Sequence, residues 1–370
     1  MSIDDLVERS GALKKDLLAF ARRPQFERAL TQELRRRFGN PGVATEGELD
    51  NFFDWFIQQY RRPDGRTLVD CFLSTRSDLP DVEQDFLRGW RDVVEGFFEV
   101  IGWDDPALVT VNLIDDLEYR VRTNVGPEVF EKMPVGSFIH TRMVPLGGQW
   151  LLSGVTTTYS ADQRETLLPV VAGVAVRSPA LVFRNPDRLA RGWELQRADR
   201  AAFVEHFGSD TVVLDRTELP RRLGKFAARR HGSSRAGADW VASIVEGLHP
   251  SAETAGLIYD ELDGLGVFGD YRLAEEAFAK PELARGRTHR TLLKCYLTDD
   301  SVSPIALIRL AERDHDKADR LFRNLTGRAR FTWSADGEAL LRRHKPDWYS
   351  HPPLPRTVVI GDCLVPYVAG

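Results

Sequence analysis

A chain of 370 residues, 42% hydrophobic and 28% charged, has the balance of a folded globular protein and excludes a disordered one. Its length exceeds one ordinary small core, so two or three domains are expected. A formal charge of −5 excludes a uniformly basic nucleic-acid binder and leaves room only for local basic patches.

The opening "MSIDDLVERS" is acidic and lacks an apolar core, which predicts no secretion signal and a cytoplasmic protein. No apolar run approaches the roughly 18 residues of a membrane helix, so no membrane partner is expected. Cys71, Cys295 and Cys363 are odd in number and far apart. They fit a reducing compartment and exclude a Cys-only zinc site.

Residues 1–105 read as an N-terminal helical region. "LKKDLLAFARRPQFERALTQELRRRF" has helical apolar spacing broken at Pro24, and "EGELDNFFDWFIQQYRR" puts Leu49, Phe52, Phe53, Phe56 and Tyr60 on one face. "LPDVEQDFLRGWRDVVEGFFEVIG" does the same with Val82, Phe86, Trp90, Val93, Val94 and Phe97, and a helix is expected through it.

At Pro106 the period changes to two. "ALVTVNLIDDLEYRVRTN" predicts two strands about a turn at Asp115 and Asp116. "GSFIHTRMVPLGGQWLLSGVTTTY" predicts a second hairpin at Gly147 and Gly148. Four strands would leave edges open, so closure into a small antiparallel β-barrel is expected over residues 106–160. Glu118, Arg120 and Arg122 alternate along one strand, His140 and Arg142 along another.

Residues 161–230 are mixed, with helices at "DQRETLLPVVAGVAV" and "RADRAAFVEHFG", a strand "TVVLD" and a helix from Thr217. Residues 231–238 read as a linker, 239–345 as a C-terminal helical domain and 346–370 as an extended tail with a strand at Val358 to Ile360. The expected fold class is α+β, mainly helical, a multi-domain chain with a small antiparallel β-barrel between helical segments.

"DGLGVFGD" places Gly264, Gly266 and Gly269 at the G-x-G-x-x-G spacing of a dinucleotide site. That motif works only after a buried strand and before a helix. The preceding "SAETAGLIYDELD" carries Leu257, Ile258, Glu261 and Leu262, which with Leu265 fall near one helical face, so the glycines are expected to cap a helix corner. Asp263 and Asp270 would also repel a phosphate. No dinucleotide is expected, nor any other cofactor.

"NFFDWFIQQYRRPDGRTLVDCFL", "GSFIHTRMVPLGGQWLLSG" and, more faintly, "FVEHFGSDTVVLD" resemble a loose group of bacterial proteins, many of which carry a SecA-type C-terminal zinc motif. The resemblance covers about residues 50–230. The zinc motif needs C-x-C followed by Cys-Cys or His-Cys and is absent here, so its metal and its docking role do not carry over. What the resemblance implies is an intracellular bacterial protein.

Chemistry-bearing clusters are few. There is no G-x-S-x-G elbow and no cysteine in a recognisable catalytic setting. Glu312, His315, Asp316 and Asp319 fall at helical spacing and could hold a cation, but Arg309, Arg313, Lys317 and Arg320 interleave with them and favour a solvated, ion-paired face. "LIRLAERDHDKADRLFRNL" resembles a DNA-reading helix-turn-helix until the turn, where His315 stands for glycine and Asp314 and Asp316 for apolar residues. No metal site is expected.

The most unbalanced charge is "RRLGKFAARRHGSSR", with no acid between Glu218 and Asp239. It needs carboxylates elsewhere in the fold or phosphates outside it. The leading expectation is a non-enzymatic binding protein contacting RNA or DNA, single strands above all, through the barrel and the adjoining basic helix. Tyr119 or Trp150 would stack bases beside Arg120, Arg122 and Arg142, and Arg221, Arg222, Lys225, Arg229 and Arg230 would meet phosphates. The alternatives are a protein-interaction scaffold using the C-terminal helical domain and a metal-dependent hydrolase around His315.

Overall fold

Capping residues set most of the first helices. In the computed structural model, which describes residues 1–231 and 235–368, Ser2 and Asp5 form a capping box that starts α1 (Ile3–Ala21). Pro24 opens α2 (Pro24–Phe38), where its missing N–H costs nothing. Thr45 with Glu48 caps α3 (Glu46–Gln58), and Thr67 with Asp70 caps α4 (Leu68–Leu73). With α5 (Asp81–Gly89) they enclose a core of Leu13, Leu17, Phe52, Phe56, Leu87 and Trp90.

The expected helix through residue 102 ends at Gly89. Residues Val94–Asp104 are instead a strand, β1. Val94, Phe98 and Val100 are buried at even spacing, and the β-branched and aromatic run around Gly96 suits a pleated surface better than a helix. β2 (Ala107–Asn112), β3 (Glu118–Arg122), β4 (Phe138–Leu146) and β5 (Gln149–Tyr159) follow, turning where the sequence places the two hairpins. The five strands pair in a closed ring, β1-β2-β3-β5-β4. Its last seam, β3 with β5, is parallel rather than antiparallel and is short, Val121 opposite Trp150 and Arg122 opposite Leu151. Phe98, Leu108, Tyr119, Val121, Ile139 and Met143 are buried together, with Phe130 and Met133 from the loop before β4.

α6 (Arg164–Arg177) and α7 (Pro179–Val182) complete the first stretch. The chain divides into two compact units: Met1–Asn185 with Ile360–Gly370, and Pro186–Val359. In the returning tail Leu364 is fully buried, and the Tyr367 hydroxyl donates to Glu165 at 2.5 Å. Val358 to Ile360 form no strand, because no neighbouring strand offers them a ladder.

The second unit begins with α8 (Pro186–Phe207), β6 (Thr211–Asp215), α9 (Leu219–His231) and α10 (Arg235–Gly247). Of the expected linker, residues 232–234 lie outside the described residues, and Arg235 already opens a helix. In place of the helix expected over "SAETAGLIYDELD" stands β7 (Thr254–Asp260), which turns into β8 (Gly264–Gly269). Every residue of β7 except Asp260 is buried. A central strand covered on both faces shows no alternation, and short apolar runs of this kind fit either period. α11 (Tyr271–Ala279), α12 (Arg287–Thr298), α13 (Ile305–Glu312), α14 (His315–Thr326), α15 (Trp333–His344) and α16 (Pro346–Ser350) finish the unit.

Candidate functional site

The sheet β6-β7-β8 is antiparallel, with β7 in the centre. One face, with Leu257 and Tyr259, packs on Phe203, Leu223, Phe226 and Val241 of the flanking helices. The other, with Ile258 and Phe268, packs on Tyr271, Tyr296, Ile305 and Leu307. Gly256 sits where the Tyr271 ring crosses the strand; a Cβ there would lie 2.6 Å from the Tyr271 Cβ.

β8 is paired on one side only. The Asp270 N–H donates to Thr254 O at 2.7 Å, which makes 254/270 a hydrogen-bonded pair. Counting by twos along the register, Phe268 pairs with Gly256 and Gly266 with Ile258. The N–H and C=O groups of Leu265 and Val267 therefore point away from β7. Among the described residues nothing hydrogen-bonds to them. The ends of this edge are occupied: the Tyr296 hydroxyl donates to Gly269 O at 2.7 Å, and Arg356 Nε to Asp263 O at 2.9 Å.

Against β8 lies a cavity of about 1510 Å³. Its apolar lining includes Trp240, Ile244, Leu265, Val267, Leu292 and Trp348. Asp199, Asp263, Asp270 and Asp299 reach it against two cations, Arg287 and Arg356. Burial, reinforced by Asp260, pushes the Asp263 carboxyl above the ordinary aspartate range. Asp299 is pulled below it by hydrogen bonds from the Ser301 side chain and backbone. The fully buried Lys345 holds the adjoining turn: its Nζ donates to Asp299 O and to Val302 O, the latter at 2.7 Å, and burial lowers its affinity for a proton. The Cys295 thiol lies 3.9 Å from Asp299, and burial pushes it up, away from the thiolate. A thiol shifted this way is a poorer nucleophile near neutral pH.

The residues singled out in the sequence are scattered. Arg142 is buried and paired with Glu95, and it donates to Gln59 at 2.7 Å and to Gln58 at 3.3 Å. Arg122 is buried against Asp4 at 2.5 Å, and Arg120 pairs with Asp104 on the surface. Tyr119 is no stacking platform: it points into the ring, with its hydroxyl on Asp115 at 2.7 Å. Trp150 packs against it at 5.1 Å and has the Arg184 guanidinium 5.6 Å from its ring. Strand alternation turned the stacking face inward. On α9, Arg221 meets Glu218 at 3.3 Å, Arg229 meets Glu205, Arg222 lies 5.5 Å over Phe207, and Lys225 is exposed. The side chain of Arg230 lies outside the described residues.

Among the described residues no three His, Cys, Asp or Glu side chains converge as a metal site would require. Asp319 instead accepts from Trp333 N at 2.6 Å and pairs with Arg323 at 3.2 Å. Across the helix-turn-helix stretch, Leu321, Phe322 and Leu325 are core, Arg309 pairs with Asp260 at 3.0 Å and Arg313 with Glu275 at 2.7 Å. What the sequence reading missed was the strand edge. The signal was available in Gly-Leu-Gly-Val-Phe-Gly, six residues with neither charge nor proline.

No described helix is long and apolar enough to cross a membrane. No curated protein and no solved structure is significantly similar to the chain. Residues 13–180 match the model of a family of unknown function, DUF7986, a match confined to the first unit.

Proposed function

We propose that the second unit is a binding module that takes an elongated, largely apolar ligand in the cavity beside β8. The observation that carries this is the cavity's size: about 1510 Å³ exceeds the roughly 300–1,000 Å³ of a drug-sized site. Aliphatic and aromatic side chains make much of its wall, and several of its polar groups, Asp263, Asp299 and Arg356 among them, are held by neighbours, as orienting groups in ligand sites are. Nile red, a neutral apolar dye, should gain fluorescence on the protein. Val267→Trp, which fills the cavity, should abolish the gain while leaving the melting temperature near that of the wild type. Equal fluorescence from both proteins would refute the reading.

A second reading rests on a different observation, the exposed cations Arg221, Lys225 and Arg229 along α9. Contact with RNA or single strands through this helix is its content, since Arg122 and Arg142 of the ring are buried against internal partners and only Arg120 stays on its surface. Reversing Arg221 and Arg229 to glutamate should flatten the salt dependence of oligouridylate binding by about 0.7 per lost phosphate contact. The melting temperature should barely move, because exposed pairs contribute about 0–1 kcal/mol. No oligonucleotide binding at low salt removes this reading.

A further inference from the structure

We propose that the occupant of the β8 cavity is an extended polypeptide segment, added to the sheet as a fourth strand along the open edge of β8; this rests on the cavity being a binding site. Three features of the edge lead there.

First, the free groups have the repeat of a strand. The N–H and C=O of Leu265 and of Val267 point off the edge two residues apart, about 7 Å at the rise of an antiparallel strand. A lipid or a compact metabolite has no matching row of alternating donors and acceptors. A peptide backbone has it by construction.

Second, the edge is kept open rather than blunted. Exposed edges are usually guarded by lysine, proline or a bulge. β8 carries none, and its pairing with β7 runs without a register shift from Gly264 to Gly269. Tyr296 and Arg356 satisfy only the two ends, leaving a slot between them. The slot is walled by Trp240 and Ile244 from α10 and by Leu292 and Tyr296 from α12, which offers alternate side chains of an added strand an apolar bed.

Third, the charge is one-sided. Asp263, Asp270 and Asp299 against Arg287 and Arg356 favour a segment that carries lysine or arginine beside its apolar positions. A second copy of β8 brings no such cation, since Gly264 to Gly269 has none.

The test uses the whole chain and a dye-labelled octapeptide of alternating valine and threonine with a lysine at each end, followed by fluorescence anisotropy. Saturable binding is expected, together with slowed hydrogen exchange at the Leu265 and Val267 amides. N-methylation of the peptide amides on one edge should weaken binding at least about fivefold, and methylation of those on the other edge should not. This comparison leaves the protein unaltered, so misfolding cannot mimic it. Val267→Pro deletes one outward donor without touching the β7 ladder and should weaken the peptide similarly.

Nile red binding separates the cavity as a site from the added strand. Dye binding without peptide binding, or peptide binding indifferent to methylation of either edge, overturns the added strand and leaves the cavity as a site. Failure of both dye and peptide overturns both. Displacement of the peptide by oligouridylate, or a dimer that Val267→Pro dissolves, assigns the edge to another partner and also overturns the proposal.

Discussion

Gly256 shows how one absent side chain sets the geometry of the second unit. The ring of Tyr271 lies across the strand where a Cβ would stand, so that β7 and the start of α11 meet at backbone distance. Gly256→Ala should destabilise this unit by about 1–3 kcal/mol, the usual cost of overpacking, as read by chemical denaturation. A stability equal to wild type would mean that Tyr271 yields freely. Asp263 carries a pH signature. Its folded-state proton affinity is raised by burial and then by Asp260, so the folded form holds its proton where the unfolded form has lost it. Its contribution to stability is therefore lost as pH rises from the ordinary aspartate range through the raised value. Asp263→Asn should melt higher than wild type at neutral pH, and the gap should close as the pH is lowered into the ordinary aspartate range. A gap independent of pH would contradict this. At this scale the sequence showed the arginines of the strands but not where they pointed. Arg122 and Arg142 find carboxylates on α1 and β1, far away in the chain, and no local pattern announces such a partner.

Among elements, those with strong local signals were legible. The helices α1 and α3, the break at Pro24, β6 and the Gly147–Gly148 hairpin stand where spacing and turn residues put them, whereas α4 is too short to show a period. Two of the misread elements, β1 and β7, share a cause. Both are apolar runs in which helical and strand templates match the same residues, and only the partner strands decide. For β1 those partners are β2 and β4; for β7 they are β6 and β8. Misreading β7 as a helix hid the candidate site altogether, since a helix has no edge. The glycine motif was then explained as a cap when its residues form the edge itself.

For the whole molecule, the division of the chain is more consequential than the count of domains. The second unit is inserted between Asn185 and Ile360, and the tail returns to the first. Deleting residues 360–370 should therefore weaken the first unit. Removal of the fully buried Leu364 alone corresponds to a loss of about 2–5 kcal/mol, and the Tyr367–Glu165 bond goes with it. Hydrogen exchange should show protection lost in α6 and the strand ring and retained in β7. Protection lost from β7 instead would place the tail's role in the other unit. The expected extended tail instead opens in α16 and ends in a tight helical turn at Val365–Tyr367, and its attachment left no sign in the sequence, because a partner 202 positions away leaves no periodicity to detect.

The returning tail also sets an order of events at the ribosome. Nascent domains generally fold as units, the earlier before the later. Here the earlier unit lacks its last buried leucine until the whole of the later one has been translated. The inserted unit can close its sheet and helices while its host is still incomplete. During that interval the α6 surface waiting for Leu364 and Tyr367 stands bare, so a stalled chain ending at Val359 should display a finished guest within an unfinished host.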